Sequence, residues 1–210
     1  MSTAPARPPM PPYFGQWETP GLIDAIINGA CRAEDDPAWA ASGAESPQDY
    51  ARWAEHLCGV ACLRMALAAR GITPPRARDL ARVLTRYGAY VEQADGFIRG
   101  LIYAPAITWL REAHGLASEI ILDRAAEDIP PLLADGGLFI ASVHPAIRRP
   151  AEPAPGTGGH LVLVFGAASG LLRLHNPSGH DAASQADARV PIGDFARFFD
   201  GRGIWLPPAR

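Results

Sequence analysis

The sequence predicts an α+β protein, with its helices gathered in the first two thirds and its strands in the last. Three observations carry this. Apolar residues recur at helical spacing up to about residue 134. After residue 137 the pattern changes to short runs rich in Val, Leu, Ile and Phe, separated by turn residues. Gly 21 and Pro 21 in 210 residues each make up about a tenth of the chain, the composition of a loop-rich domain. Hydrophobic residues at 48% and charged residues at 20% are enough for a sizeable core without disulfides or metal.

Residues 1–12 are expected to be a mobile, polyproline-like arm, and 13–210 a single domain whose first ordered stretch is Tyr13-Phe14-Gly15-Gln16-Trp17. A short helix fits 21–28, followed by a turn-rich acidic stretch over 32–47. Ser46-Pro47 then opens a helix, with serine as the cap and proline at the first position. Over 58–70 the residues Ala61, Cys62, Met65, Leu67 and Ala69 share a helical pattern that Gly71 ends. Further helices are expected at 75–87, 104–114 and 124–134. Strands are expected at 138–143, 160–165, 171–175 and 188–192, then a helix at 194–199 and a last strand at 203–206. The loop 145–159 is rich in Pro and Gly.

Several functions are excluded. All 19 basic residues are Arg, so Schiff-base chemistry and phosphate loops ending in Gly-Lys are impossible. A net charge of −3 without a basic track argues against nucleic acid. The longest apolar run, 161–168, is too short for a membrane span, and residues 1–12 lack the apolar stretch of a secretory signal. A cytoplasmic location and free thiols at Cys31, Cys58 and Cys62 are the expectation. No cofactor is implied.

The chemistry concentrates in three residues. Cys58 stands at a helix N-terminus, where exposed N–H groups and aligned peptide dipoles favour a thiolate, and Gly59 leaves room for a substrate carbonyl. Cys62, a turn deeper, is a core residue. His160 begins one strand and Asn176 follows the next. With a turn over 167–169 the two are equidistant from residue 168 and directly opposed, close enough for an amide oxygen to hold an imidazole N–H. A cysteine nucleophile, a histidine base and an asparagine orienter, in that chain order, are the parts of a papain-type triad.

Cys58-Gly59-x-x-Cys62-Leu63-x-Met65-x-Leu67, the stretch Gly159-His160-Leu161-Val162-Leu163-Val164 and Asn176-Pro177 resemble the papain-like domain of the bacteriocin-processing, double-glycine-leader peptidases and their stand-alone relatives, family thirty-nine of the cysteine peptidases. Pro12-Tyr13-Phe14-Gly15-Gln16 and the closing segment from Phe195 to Ile204 are similar to that family too. The resemblance implies a papain-like fold, with the nucleophile helix packed on a C-terminal antiparallel sheet. It also implies a peptide or protein substrate, a role in peptide maturation, and Gln16 as an oxyanion donor. Gln16 lies 42 residues before Cys58, so 17–51 is an insertion that must fold outward. Arg52, six residues before Cys58, is the competing donor. Asn176 stands where these peptidases often carry Asp.

Three other readings stay open. The same triad could pass its acyl group to an amine or thiol, as an acyltransferase or transpeptidase. A silent peptide-binding module could keep the fold. His56, Cys58, Cys62 and His160 could form a zinc set, though their spacing fits no familiar paired-Cys pattern.

Overall fold

A computed structural model describes residues 10–209. Residues 1–9 of the expected arm lie outside the described residues. The arm's last residues are not loose: Pro11 is buried, and its carbonyl accepts a hydrogen bond from His175 Nε2 at 2.8 Å. Proline lacks an N–H but keeps its carbonyl, and the fully buried imidazole needs that acceptor.

The helical half contains α1 (Ile23–Ile27), α2 (Pro47–Ala54), α3 (Cys58–Ala69), α4 (Ala77–Arg86) and α5 (Tyr103–His114). Ser46 Oγ caps α2 by accepting from Asp49 N at 3.1 Å, with Pro47 at the first position as expected. Every residue of α3 from Cys58 to Leu67 is buried, so this helix is enclosed on all sides. A small hairpin, β1 (Val91–Glu92) with β2 (Ile98–Arg99), joins α4 to α5. Strands of two residues carry too little pattern to be read from sequence.

The segment 17–51 has a small core of its own, Trp17, Ile23, Ala33 and Tyr50, closed by Ala54 of α2. Its hub is Asp36, whose carboxylate is fully buried and accepts from Thr19 N (3.1 Å), Ala38 N (2.9 Å), Tyr50 Oη (2.5 Å) and the Thr19 hydroxyl. Burial pushes the Asp36 carboxyl up, but the Thr19, Tyr50 and Ala38 hydrogen bonds together outweigh it and hold the pKa below the ordinary value.

The rest of the chain supplies β3 (Glu119–Ile121), α6 (Ile129–Leu132), β4 (Leu138–Val143), β5 (His160–Ala168), β6 (Leu171–His175), α7 (Ala182–Gln185), β7 (Ala188–Pro191), α8 (Ile192–Ala196) and β8 (Phe199–Leu206). Six of these strands form one antiparallel sheet in the order β3-β8-β4-β5-β6-β7. Leu161, Leu163 and Phe165 point to the core shared with α3, while Val162 and Val164 point to a second core with Phe139, Phe195 and Phe198. β5 is therefore covered on both faces, which is why it reads as a continuous apolar run.

Two expected helices are shorter than the sequence suggests. The segment 124–134 holds only the single turn α6 between two 3-10 turns, because Pro130 and Pro131 remove N–H groups that a longer helix needs. The helix expected at 194–199 is α8, which ends at Ala196, since Phe199 already pairs with Val143 of β4.

The β5–β6 hairpin corrects the expected register. Its turn is Ser169-Gly170, both with positive φ (52° and 77°), so Ala168 faces Leu171. That turn alone would set Val164 opposite His175 and place Asn176 on the face away from His160. A β-bulge at Phe165 takes up one unpaired residue, so Val164 faces Leu174 instead. Continued from there, the register puts Ser178 formally opposite His160 and Asn176 two residues before it, on the same face.

Candidate active site

Cys58 is the first residue of α3, and Leu57 before it provides no side-chain cap, so the N–H groups of the first turn are left to the site. Cys58 lines a cleft of about 320 Å³ together with His160, Gly159, Leu161, Ser142 and Tyr103, and with the 99–102 segment and Arg202. Gly59 is required by packing, and Leu101, which a side chain there would strike, itself lines the cleft. A Cβ there would lie 2.7 Å from Leu101 Cβ and 2.9 Å from Tyr90 Oη, both in the protein's own core. Cys62 is fully buried one turn deeper, as expected of a core residue.

His160 and Asn176 are joined directly, His160 Nε2 to Asn176 Oδ1 at 2.8 Å, with both residues buried. Nδ1 is the ring nitrogen left outside this bond. The loop after Asn176 is held on every side. Asn176 N donates to Gln185 O (2.8 Å), Gly179 N to Asn176 O (3.1 Å), Gln16 N to Pro177 O (2.8 Å) and Tyr13 Oη to Asn176 O (3.3 Å). Gly179 must be glycine, because a Cβ would lie 2.5 Å from the Ser184 backbone.

The electrostatics differ from the thiolate that the helix terminus suggests. Burial pushes the Cys58 thiol above its ordinary pKa, although the N–H groups of Leu161, Gly59 and Cys58 itself and the Arg148 charge pull it down. Burial also lowers His160 to about 4, against the opposing hydrogen bond that its ring donates to Asn176. Burial therefore favours the neutral thiol and the neutral imidazole, desolvation outweighing the helix terminus at Cys58.

The two candidate oxyanion donors lie in different places. Gln16 is buried beside the Asn176 loop, its backbone tied to Pro177 and its Oε1 without a protein partner, and it is not among the residues lining the cleft. Arg52 is half-exposed and ion-paired with Glu92, and it lines a separate depression with Cys31 and His56. His175 is a structural residue: Nε2 donates to Pro11 O, and Nδ1 accepts from Asp187 N at 3.0 Å. His144 accepts from Ala146 N through Nδ1 and caps a 3-10 turn over Pro145–Arg148. Among the described residues, no three His, Cys, Asp or Glu side chains gather as a metal-binding group.

Sequence reasoning missed Ser178, whose Oγ lies 3.1 Å from His160 Nε2, and Arg148, which donates to Ser178. The true turn and the bulge together would have pointed to Ser178, as the residue in register with His160. Nothing in the sequence singles out Arg148.

No protein-family model matches the chain, and no curated protein matches it. Solved structures do. A C39-like peptidase from Bacillus anthracis superposes with a TM-score of 0.52 at 15% identity, over 74% of this chain and 90% of that one. The chain has the papain-like fold of the C39 peptidases. Two further structures resemble it at lower TM-scores. One is the peptidase domain of Streptococcus ComA, a bifunctional ABC transporter of a quorum-sensing pathway (0.49, 15% identity, 74% and 93% covered). The other is a double glycine motif protease from an AMS/PCAT transporter, solved with the leader peptide (0.45, 20% identity, 71% and 84% covered). Within this C39-type fold, no helix among the described residues is long and apolar enough to cross a membrane.

Proposed function

We propose that the protein is a cysteine peptidase that cleaves a peptide amide bond through an acyl-enzyme on Cys58. The observation that carries this reading is the 2.8 Å bond from His160 Nε2 to Asn176 Oδ1, in a residue that shares a cleft with a cysteine at a helix N-terminus.

Because burial favours the neutral thiol and the neutral imidazole, attack and proton transfer are coupled. As Cys58 Sγ bonds to the carbonyl carbon, its proton passes to His160 Nδ1. The oxyanion that forms is stabilised by the Cys58 N–H at the start of α3 and, as the family resemblance implies, by the Gln16 amide. His160 returns the proton to the leaving amine as the C–N bond breaks, and the amine departs. A water then gives a proton to Nδ1 and attacks the thioester carbon, and as the C–S bond breaks that proton passes from Nδ1 to Sγ, which frees the acid and restores the Cys58 thiol. Asn176 keeps the ring aligned in both halves.

The test is to trap the acyl-enzyme from an activated peptide ester and measure its mass, in the wild type and in Cys58→Ala. One acyl group located on Cys58, with the free acid as product, supports the peptidase. An amide formed with an added amine would make the protein a transferase. No adduct on Cys58 would overturn the reading.

A further inference from the structure

We propose that Arg148 and Ser178 form a second orienting arm that sets which way the Asn176 amide faces and so which nitrogen of His160 carries the resting proton. This rests on the reading of His160 as the general base. Arg148 reaches Ser178 three times: Nε donates to the Ser178 carbonyl (2.8 Å) and to Oγ (3.2 Å), and Nη2 donates to Oγ (2.9 Å).

A hydroxyl has two lone pairs and one proton. Two donors from Arg148 occupy the lone pairs, so the single proton of Ser178 must point away, toward Asn176 Oδ1 at 3.4 Å, since His160 Nε2, 3.1 Å from Oγ, already donates to that oxygen. Ser178 also donates its backbone N–H to Asn176 Oδ1 at 3.1 Å. Arg148 thus holds both Ser178 donors in place, the hydroxyl through its Oγ and the backbone N–H through the neighbouring carbonyl, and together they fix the amide orientation: an oxygen, and not an NH2 group, must face the loop and the ring. With an acceptor facing it, Nε2 of His160 carries hydrogen in both charge states, and Nδ1 becomes the nitrogen that gains and loses the proton. The chain of cause runs from Arg148 to the Ser178 rotamer, to the Asn176 amide, to the His160 tautomer. Arg148 and Ser178 are positioning residues.

Arg148 also brings a partly buried cation to a site whose orienter is a neutral amide. Its charge favours the Cys58 thiolate and disfavours a charged His160. The charged and titratable groups around it are Asp24, Arg149 and Cys58, while Tyr90, Tyr103 and Cys62 surround the thiol.

The experiment follows the His160 ring nitrogens by NMR in the full chain, with the signal assigned through His160→Gln, and compares wild type, Ser178→Ala, Arg148→Met and Arg148→Lys. The wild type should hold hydrogen on Nε2 alone. Arg148→Met should mix the tautomers and raise the His160 titration midpoint by at least about half a pH unit. Arg148→Lys should keep the midpoint, because the charge remains, yet still mix the tautomers, because the fork is gone. Ser178→Ala should lower kcat about tenfold with KM unchanged, the scale of one lost hydrogen bond. An unchanged tautomer and midpoint in both folded Arg148→Met and Ser178→Ala would overturn the proposal. The NMR readout needs no turnover, so failure of the arm and failure of the peptidase reading are told apart.

Discussion

His160 Nε2 and Asn176 Oδ1 meet at 2.8 Å although the two residues are not partners in the β-ladder. They share a face because the bulge at Phe165 absorbs one residue of β5. Asn176 then completes the contact from just beyond the end of β6 at His175. The register difference between direct opposition and this arrangement is two residues, an even number, so the face is kept and the contact survives.

A residue inserted into the Ser169-Gly170 turn should therefore be tolerated, since the loop can widen while Ala168 still faces Leu171. One alanine inserted between His175 and Asn176 should not be. It leaves every pair of β6 intact but turns Asn176 away from the ring, and turnover should drop as far as in Asn176→Ala. Steady-state rates of the folded variants decide the matter, and full activity after the second insertion would defeat the argument.

Labelling of Cys58 by iodoacetamide should keep rising with pH beyond the ordinary thiol value of about 8.5, without a plateau near neutrality. The sign follows from burial, which raises the thiol pKa and leaves little thiolate at pH 7. In Arg148→Met the rate at any one pH should be lower, because a cation that favours the thiolate is gone. Peptide mapping separates Cys58 from the partly exposed Cys31. A plateau at neutral pH would mean that a thiolate–imidazolium pair forms despite the burial.

Gln16→Ala should cost about a hundredfold in single-turnover rate, with little change in substrate binding, because an oxyanion donor is used as charge develops. Arg52→Ala should stay near wild type, since Arg52 is held at the surface by Glu92. The reverse result would assign the oxyanion to Arg52 and leave Gln16 as a tether for the Asn176 loop.

Asp36→Ala should destabilise the chain by about 2–4 kcal/mol at pH 7, measured by urea unfolding, because it strands the Thr19 and Tyr50 donors in a buried site. The folded pKa of Asp36 is below the unfolded one. Its stabilisation is therefore present above the ordinary carboxylate pKa of about 3.9 and disappears as pH falls through the folded value. The gap between wild type and variant should narrow near pH 3. A constant gap from pH 7 to pH 3 would show that the carboxylate charge is not what holds this segment.

Much of this architecture is legible in local chemistry. Ser46-Pro47 marks the start of α2, Gly71 follows the end of α3, and the apolar runs of β4 and β5 read directly as buried strands. Cys58, His160 and Asn176 stand out because their residue types are rare together in that order and context. The hairpin of β1 with β2 and the edge strand β3 escape such reading. Two or three residues carry no period, and their pairing comes from partners such as Trp205 and Ile204, far away in the chain.

Spacing and side-chain chemistry within a few turns of chain are enough to set the helix-then-strand order, the helix that Cys58 opens and the Cys, His and Asn types of the candidate site. The register that joins His160 to Asn176, the burial that favours the neutral thiol and imidazole, and the reach of Arg148 to Ser178 arise instead from long-range packing. A bulge is a choice between nearly equivalent pairings, settled by packing on both faces of the sheet. Desolvation and a salt-free reach across 30 residues of chain likewise exist only once distant segments have closed around the site.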